Sequence, residues 1–561
     1  MKQLGKRDFS PARRYLPACA SAWMVLTIPH LGAVADPHSS GDVPRISGAH
    51  VRAHVEFLAD DLLEGREAGT RGYDLAAHYV ASVMKSAGLE PAADDGTYFQ
   101  NVPLRKSTLG SSALSVTSKS GGAASDIKIP EEGVVLPNHS LPSVDVRGDV
   151  VFVGYGVTAP EISYDDYAGI DVTGKIVLAA YNAPAKLNSE IRAHYASPVQ
   201  KLKNAANRGA AGVIFMFTPE DQERIPWAYA KARMSEPGIT TVQPDGKPFV
   251  NEPRMTAVAY VNDTGAKKLF AGAPTPIEDA IASIVRGEPK SFALPVSASI
   301  RVATTHSDAM SANVVARLEG SDPALAKTSV LLTAHLDGVG IGQEVNGDRI
   351  NNGAYDNATG SAILLEVARA LGARPRAPKR SVLVVFVTAE EKGLLGSDYF
   401  ARHPVKAAGQ MVADVNLDMP VFMTPSNDLV AFGSENSTLD AVVKRAAQAE
   451  GYVAAPDPMP EENIFVRSDQ YSFVKQGVPS VYLMPGFTPI DPKSTTPRFE
   501  EFRKQHYHKP SDDLSLPMDL DALARFARVN YRVIAAIAND PVAPTWKPGN
   551  FFGKAFGKGT N

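Results

Sequence analysis

Ser381-Val382-Leu383-Val384-Val385-Phe386-Val387-Thr388-Ala389-Glu390-Glu391-Lys392-Gly393-Leu394-Leu395-Gly396-Ser397 is the stretch on which the fold turns. Residues 381–388 are apolar or β-branched almost without a break. That is the pattern of a strand buried on both faces, as in a parallel sheet covered by helices. The run ends at two adjacent glutamates, and in open α/β sheets ligands bind at the carboxyl ends of strands. Upstream, residues 358–371 carry apolar side chains at helical spacing and stop at Gly372 and Pro375. Before them a short apolar strand over 329–334 runs directly into His335. Downstream, a strand over 412–417 ends in Asp418, another is expected over 479–483, and a closing helix over 519–539. Strand and helix alternate, so the fold class is α/β.

Three strands thus deliver His335, Glu390 with Glu391, and Asp418 to one sheet edge. Each residue alone has a plain explanation. His335 reads as a core histidine, the glutamates as a solvated loop pair, Asp356 in Tyr355-Asp356-Asn357-Ala358 as a helix cap, and His508 before Lys509-Pro510 as a surface residue. As a set they are more persuasive than singly, since imidazoles and carboxylates without thiolates suit zinc.

The rest of the chain reads in blocks. Residues 1–35 form an export leader: Lys2, Lys6, Arg7, Arg13 and Arg14 precede a mostly apolar stretch that closes on Ala33-Val34-Ala35. The paired basic residues leave the export route, general secretory or twin-arginine, open. The expected location is periplasmic or extracellular, with no stable membrane insertion once the leader is cut. Residues 36–136 begin the main domain, with helices over 54–63 and 73–87. Residues 137–296 form a β-rich module with strands over 149–153, 175–179, 212–216 and 256–260 and a helix over 199–208. Residues 297–541 carry the strand–helix–strand pattern, and residues 542–561 read as a loosely ordered tail. The only cysteine, Cys19, lies in the leader, so a mature chain has no disulfide or thiolate ligand. The formal net charge of −4, without a basic run, points away from nucleic acid.

The motifs, in chain order, are His335-Leu336-Asp337, Gly353-Ala354-Tyr355-Asp356-Asn357-Ala358-Thr359-Gly360, Ala389-Glu390-Glu391-Lys392-Gly393-Leu394-Leu395-Gly396-Ser397, Asn416-Leu417-Asp418 and Tyr507-His508-Lys509-Pro510-Ser511-Asp512-Asp513. Glu64-Gly65-Arg66 with Gly69-Thr70, and Arg467-Ser468-Asp469 with Gly477-Val478-Pro479, join them. Together they resemble the co-catalytic two-zinc aminopeptidases, relatives of glutamate carboxypeptidase and the transferrin receptor. The β-rich module resembles their protease-associated (PA) domain.

The resemblance implies a three-layer α/β/α fold with a mixed, largely parallel central sheet and a small PA insert. It implies His335 and Asp418 on one metal, Glu391 and His508 on the other, and Asp356 bridging both. The metals would be two zinc ions, with cobalt or manganese as substitutes. Glu390 would be the general base toward a metal-bridging hydroxide, and Tyr507 would assist the oxyanion. Asp337 would hold the second nitrogen of His335 as an outer carboxylate. His506 is near but out of frame. A cis Asp356–Asn357 bond is expected. The backbone of Arg467, with Glu390 and Asp418, would receive the substrate amine. Peptides are the expected substrates, and cleavage from the N-terminus the leading reading. A glutamate-carboxypeptidase-like exopeptidase, a one-zinc glutaminyl-cyclase-like transferase and an inactive receptor-like protein share the fold and stay open, as do the preferred residue and the oligomeric state. Residues 227–237, mixed aromatic and charged, are expected to form a mobile loop over the site.

Overall fold

The computed structural model describes residues 45–121, 125–288, 290–494 and 499–557. The leader over 1–35, Cys19 with it, lies outside the described residues. Thr328–His335 is flanked by Ser381–Val387 and Gln410–Leu417, both parallel to it, and Gln410–Leu417 continues in parallel to Ser480–Pro485. Antiparallel strands close the set: Ser291–Leu318 beside Ser381–Val387, and Asp428–Phe432 beside Ser480–Pro485.

The all-apolar strands supply both cores, because alternate side chains of a strand point to opposite faces. Val382, Val384 and Phe386 join Val330 and Leu332 beneath the helices Gly48–Leu58, Arg71–Ser86, Gly360–Gly372, Leu439–Ala449 and Leu520–Asn539. Leu383, Val385 and Val387 pack the other way, with Leu331, against Phe400 and Phe473 of the helices Leu395–Arg402 and Gln470–Val474. Each such side chain contributes roughly 1.5–3 kcal/mol through burial. The result is helix, mixed and largely parallel sheet, helix, as expected.

Two very long strands tie this sheet to the second module. Phe99–Ser118 pairs antiparallel along its length with residues 296–314 of Ser291–Leu318, with one irregularity between Ala303 and Thr304. The far half of Ser291–Leu318 then pairs with Ser143–Val153, which is followed in parallel by Ile176–Ala180, Gly212–Met216 and Val258–Val261. The boundary expected at 296/297 therefore falls inside a strand, and one hydrogen-bonded sheet runs through both modules.

Three expectations are corrected. The first helix is Gly48–Leu58, not 54–63, and a 3₁₀ segment Asp61–Arg66 comes after it. Glu64, Gly65 and Arg66 there take positive φ, and the turn they make sends Arg66 into the core. The stretch 227–237 is not a loop: Trp227–Ser235 is helical, anchored by Trp227 Nε1 donating to Pro130 O at 3.3 Å and by the Trp227–Phe217 edge contact. The tail is not loose through 557: Phe551–Phe556 is a helix and Phe552 is 1% exposed, held by an aromatic cluster. Among the described residues no helix is long and apolar enough to cross a membrane.

Candidate metal centre

Several chain segments converge at the carboxyl edge of the sheet. His335 is the last residue of its strand, and Asp418 comes after Leu417, the last of the neighbouring strand. Glu390 and Glu391 lie just past the Ser381–Val387 strand, and Asp356 and His508 arrive from loops on either side. Parallel pairing of the three strands lines up their ends, which is why residues far apart in sequence meet.

Two groups form, and they share one residue. His335 Nε2 lies 3.1 Å from Asp418 Oδ1 and 3.3 Å from Asp356 Oδ1. His508 Nε2 lies 3.1 Å from Glu391 Oε2 and 3.3 Å from Asp356 Oδ2. Within each group the candidate ligand atoms all fall within 4.8 Å of one another. Asp356 thus gives one carboxylate oxygen to each group. All five expected metal residues are brought together, and His506 is not: its Nδ1 faces Ser511.

Electrostatics agree with a cation site. Burial acts against the charge of Asp356, yet the two imidazoles outweigh it and hold its carboxyl below the ordinary range. Burial also opposes a charge on His335, but Asp418, Glu390 and Asp356 raise it well above a normal imidazole. Glu390 is pushed well up, first by burial and then by Asp418 and Glu391, against the pull of His335. Glu391 Oε1 is buried and makes no hydrogen bond. An orphaned carboxylate oxygen on Glu391, whose other oxygen meets the His508 imidazole, belongs to a donor set that fits zinc.

The supports around these residues are largely main-chain clamps. Asp512 accepts from Tyr355 N at 2.9 Å and Asp356 N at 3.0 Å, one oxygen each. Asn357, reached through the cis Asp356–Asn357 bond, donates to Leu417 O at 2.9 Å and His335 O at 3.3 Å and accepts from Met419 N at 3.1 Å. It therefore ties two strand ends together. Arg66, fully buried, donates to Leu336 O, Asn352 O, Gly353 O and Leu58 O. Gly353 sits at φ +59, and a Cβ there would lie 2.2 Å from Asp356 O, so the turn into Asp356 needs glycine. Tyr482 hydroxyl donates to Asp418 O at 2.6 Å.

Asp337 departs from its expected role. His335 Nδ1 lies 3.1 Å from the main-chain oxygen of Asp337, while the Asp337 carboxylate is 3.9 Å away. That carboxylate instead accepts from Glu390 N at 3.1 Å and Glu391 N at 3.3 Å, so it shapes the turn that carries both glutamates. The roles of Arg66, Asp512, Asn357 and Tyr482 are not apparent in the sequence, although the first three lie in stretches that carry the resemblance.

Two spaces open on the centre. A cavity of about 70 Å³ lies against Asp356, Glu390 and Asp418, walled by Ile464, Arg467, Ser468, Tyr482, Arg503 and Tyr507 among others. Tyr507 stacks on the His508 ring at 3.8 Å. A wider cleft of about 490 Å³ passes Glu390, Glu391, His508, Lys392 and Arg467, and its far wall is Arg233, Met234 and Glu236, at the end of the helix Trp227–Ser235, with His139.

Comparison with known proteins gives a consistent picture. Residues 313–534 match peptidase family M28, and residues 133–247 match the PA domain. A "Probable leucine aminopeptidase 2" of Aspergillus fumigatus is 25% identical over 248 residues, covering 41% of this chain and 46% of that protein. A "Probable zinc metalloprotease" of Pyrenophora tritici-repentis is 27% identical over 267 residues, covering 41% and 52%. The chain spans about half the length of the curated relatives it matches. Among solved structures, an aminopeptidase from Aneurinibacillus sp. strain AM-1 is similar at a TM-score of 0.48 and 20% identity, covering 90% of this chain and 97% of that one. Residues 313–534 are accordingly a peptidase family M28 domain, and residues 133–247 a PA domain in the same chain.

Proposed function

We propose that this protein is an exported, zinc-dependent aminopeptidase that removes residues from the N-termini of peptides. One observation carries the reading: Asp356 splits its carboxylate between the His335/Asp418 and Glu391/His508 groups, 3.3 Å from an imidazole on each side. That is the arrangement a pair of cations needs. On this reading His335, Asp418 and Asp356 hold one zinc, and Glu391, His508 and Asp356 the other. Zinc held there supplies Lewis acidity toward the scissile carbonyl and makes water ionisable near neutral pH.

The chain's own groups do the rest. Glu390, half-buried beside the centre and not one of its ligands, takes the proton of the attacking water and returns it to the leaving amine. Tyr507, at the wall of the smaller cavity, donates toward the developing oxyanion. The substrate ammonium meets Asp418 and Glu390. Arg467 N already donates to Ile464 O at 3.1 Å, so its main chain offers the amine a carbonyl acceptor. The N-terminal side chain enters the 70 Å³ cavity and the remaining residues leave along the larger cleft. The helix wall from the PA domain restricts that cleft to short or extended peptides. Export rests on the leader sequence alone.

Metals per chain, together with hydrolysis of aminoacyl p-nitroanilides beside N-blocked peptides, test this. About two zinc ions per chain and cleavage of free-amine substrates only are expected. Cleavage of blocked substrates from the carboxyl end, or cyclisation of N-terminal glutamine with one zinc, would replace the reading with one of its relatives.

A further inference from the structure

The C-terminal helix Phe551–Phe556 lies at a junction of three parts of the chain. On one side stands the PA domain: the His194 ring is 5.3 Å from Phe551 and 5.6 Å from Phe556, and its Nδ1 lies 2.8 Å from Tyr471 hydroxyl. On the other stands the peptidase domain: Phe552 packs edge-on to Phe465 at 5.5 Å and to Tyr471 at 6.2 Å. The segment ahead of the helix is pinned as well. Trp546 Nε1 donates to Gly477 O at 3.0 Å, Lys547 N donates to Asn436 O at 3.0 Å, and Asn550 Nδ2 donates to Asn436 Oδ1 at 2.6 Å.

Phe465 is what connects this junction to the site. Its ring, 2% exposed, fills the space over Gly433, where a Cβ would come within 1.9 Å of it. Its main-chain oxygen accepts from Gln470 Nε2 at 2.6 Å. Gln470 Oε1 and Ser468 Oγ both accept from Asn416 Nδ2, at 2.8 and 2.9 Å. Asn416 stands two residues before Asp418. The residues on either side of Phe465, Ile464 and then Arg467 and Ser468, are walls of the cavity beside Asp356, Glu390 and Asp418.

We propose that Phe552 is a positioning residue for substrate: its ring fixes Phe465 and, through it, sets Ile464, Arg467 and Ser468 where the N-terminal residue of a peptide binds. The C-terminal segment therefore acts on the site from behind, without touching substrate. This rests on the aminopeptidase reading for its substrate, but not for the mechanical link. A displaced wall misplaces the substrate more than it alters the reacting groups, so binding suffers before turnover at saturation does.

The test uses the full chain in three variants: Phe552→Ala, Phe552→Leu and Trp546→Phe. Trp546→Phe loses the bond to Gly477 but keeps the Phe552–Phe465 contact, and so controls for general loosening of the segment. For an aminoacyl p-nitroanilide, Phe552→Ala is expected to raise KM about 10-fold with kcat within about 3-fold and metal content unchanged, and Phe552→Leu to fall between it and wild type. Trp546→Phe is expected to stay within about 2-fold of the wild-type KM. Amide hydrogen exchange of the peptide covering 463–469 is expected to accelerate in the same order, by about 10-fold in Phe552→Ala.

A folded Phe552→Ala with wild-type KM and wild-type exchange over 463–469 overturns the proposal. So does Trp546→Phe shifting KM as far at an equal loss of stability. If Phe552→Ala is insoluble, unchanged exchange in Phe552→Leu overturns it. If wild-type protein releases no p-nitroaniline yet the exchange responds in the stated order, the link stands and the aminopeptidase reading is what fails.

Discussion

Replacing Arg66 by methionine is the sharpest test of how the centre is held. Arg66 is 1% exposed and gives its guanidinium hydrogens to four main-chain oxygens: Leu58, Leu336, Asn352 and Gly353. Burial lowers it to about 10, although Asp512, Asp337, Asp356 and Glu391 all pull it up, so it is a cation kept in place at a cost. Methionine fills similar volume but leaves those oxygens without donors where water has little room, at about 1–3 kcal/mol for each one not rescued. Relief from burying the charge offsets part of this. Breaking a buried charged arrangement at one partner costs about 3–5 kcal/mol, and that is the expected loss in urea unfolding at neutral pH. Arg66→Lys keeps the charge but has three donors without the planar fork, so at least one oxygen loses its bond and the loss should be about 1–2 kcal/mol. Because Leu336 is next to His335 and Gly353 opens the turn to Asp356, zinc affinity should fall in the same order, by about 10–100-fold for Arg66→Met. A variant within about 0.5 kcal/mol of wild type and with unchanged zinc affinity would show that the four bonds are incidental.

Glu390→Gln should retain its metals and lose about 10²–10⁴-fold in kcat; wild-type turnover would remove it from the role of base. Chelation and then zinc titration, read by thermal unfolding, should show stability falling on stripping and returning with the metal, by about 4 kcal/mol at a thousandfold excess over Kd. His194, held down to about 4 chiefly by burial, is protonated in the unfolded chain below its ordinary value but not in the folded one. Stability should thus fall as pH drops from about 6.5 to about 4, by up to about 1.4 kcal/mol per unit, and His194→Asn should lack that slope in urea midpoints over the same range. Arg233→Ala combined with Glu236→Ala widens the cleft wall, so cleavage of longer peptides should gain a few-fold over dipeptides in competition assays; an unchanged ratio would deny the PA domain a part in selection.

Three of the five candidate metal residues, His335, Glu391 and Asp418, are legible in the sequence because strand ends are legible. A continuous run such as 381–387 fixes a buried strand, and the residues just past its end must sit at the sheet edge, so Glu390 and Glu391 can be placed without coordinates. The sharing of Asp356 is available only through the resemblance, since a lone aspartate before a helix reads equally well as a cap. The long pair Phe99–Ser118 and Ser291–Leu318 is not legible. Val296, Ala298, Ile300 and Val302 do alternate, but they are separated by serine and arginine, and Thr304–Met310 is polar enough to read as a loop. Only pairing between the two strands makes that stretch extended. Arg66 lies in a recognisable motif, yet nothing local shows that its acceptors are main-chain oxygens up to 287 residues away. The C-terminal helix is hidden because glycine, proline and lysine speak for a loose tail, whereas its order comes from Phe551, Phe552 and Phe556 meeting His194, Phe465 and Tyr471. Tertiary contact overrides local propensity there.

The charge balance of the centre also explains why so much of its support is built from main chain. Asp337, Asp356, Glu390, Glu391, Asp418 and Asp512 crowd around His335, His508 and Arg66, more carboxyl groups than side-chain pairing can satisfy, and burial raises Glu390, Asp337 and Asp512 above the ordinary carboxylate range. Two of those carboxylates engage amides instead: Asp337 takes Glu390 N and Glu391 N, and Asp512 takes Tyr355 N and Asp356 N. Each clamps the backbone next to a candidate metal residue, not the metal residue's side chain. The oxygens of Asp356 and Glu391 are thereby left to face inward, with the turns that carry them unable to swing out to solvent. A site organised this way keeps its candidate ligands in place through the peptide chain and leaves their charge to be settled by bound cations or by protons.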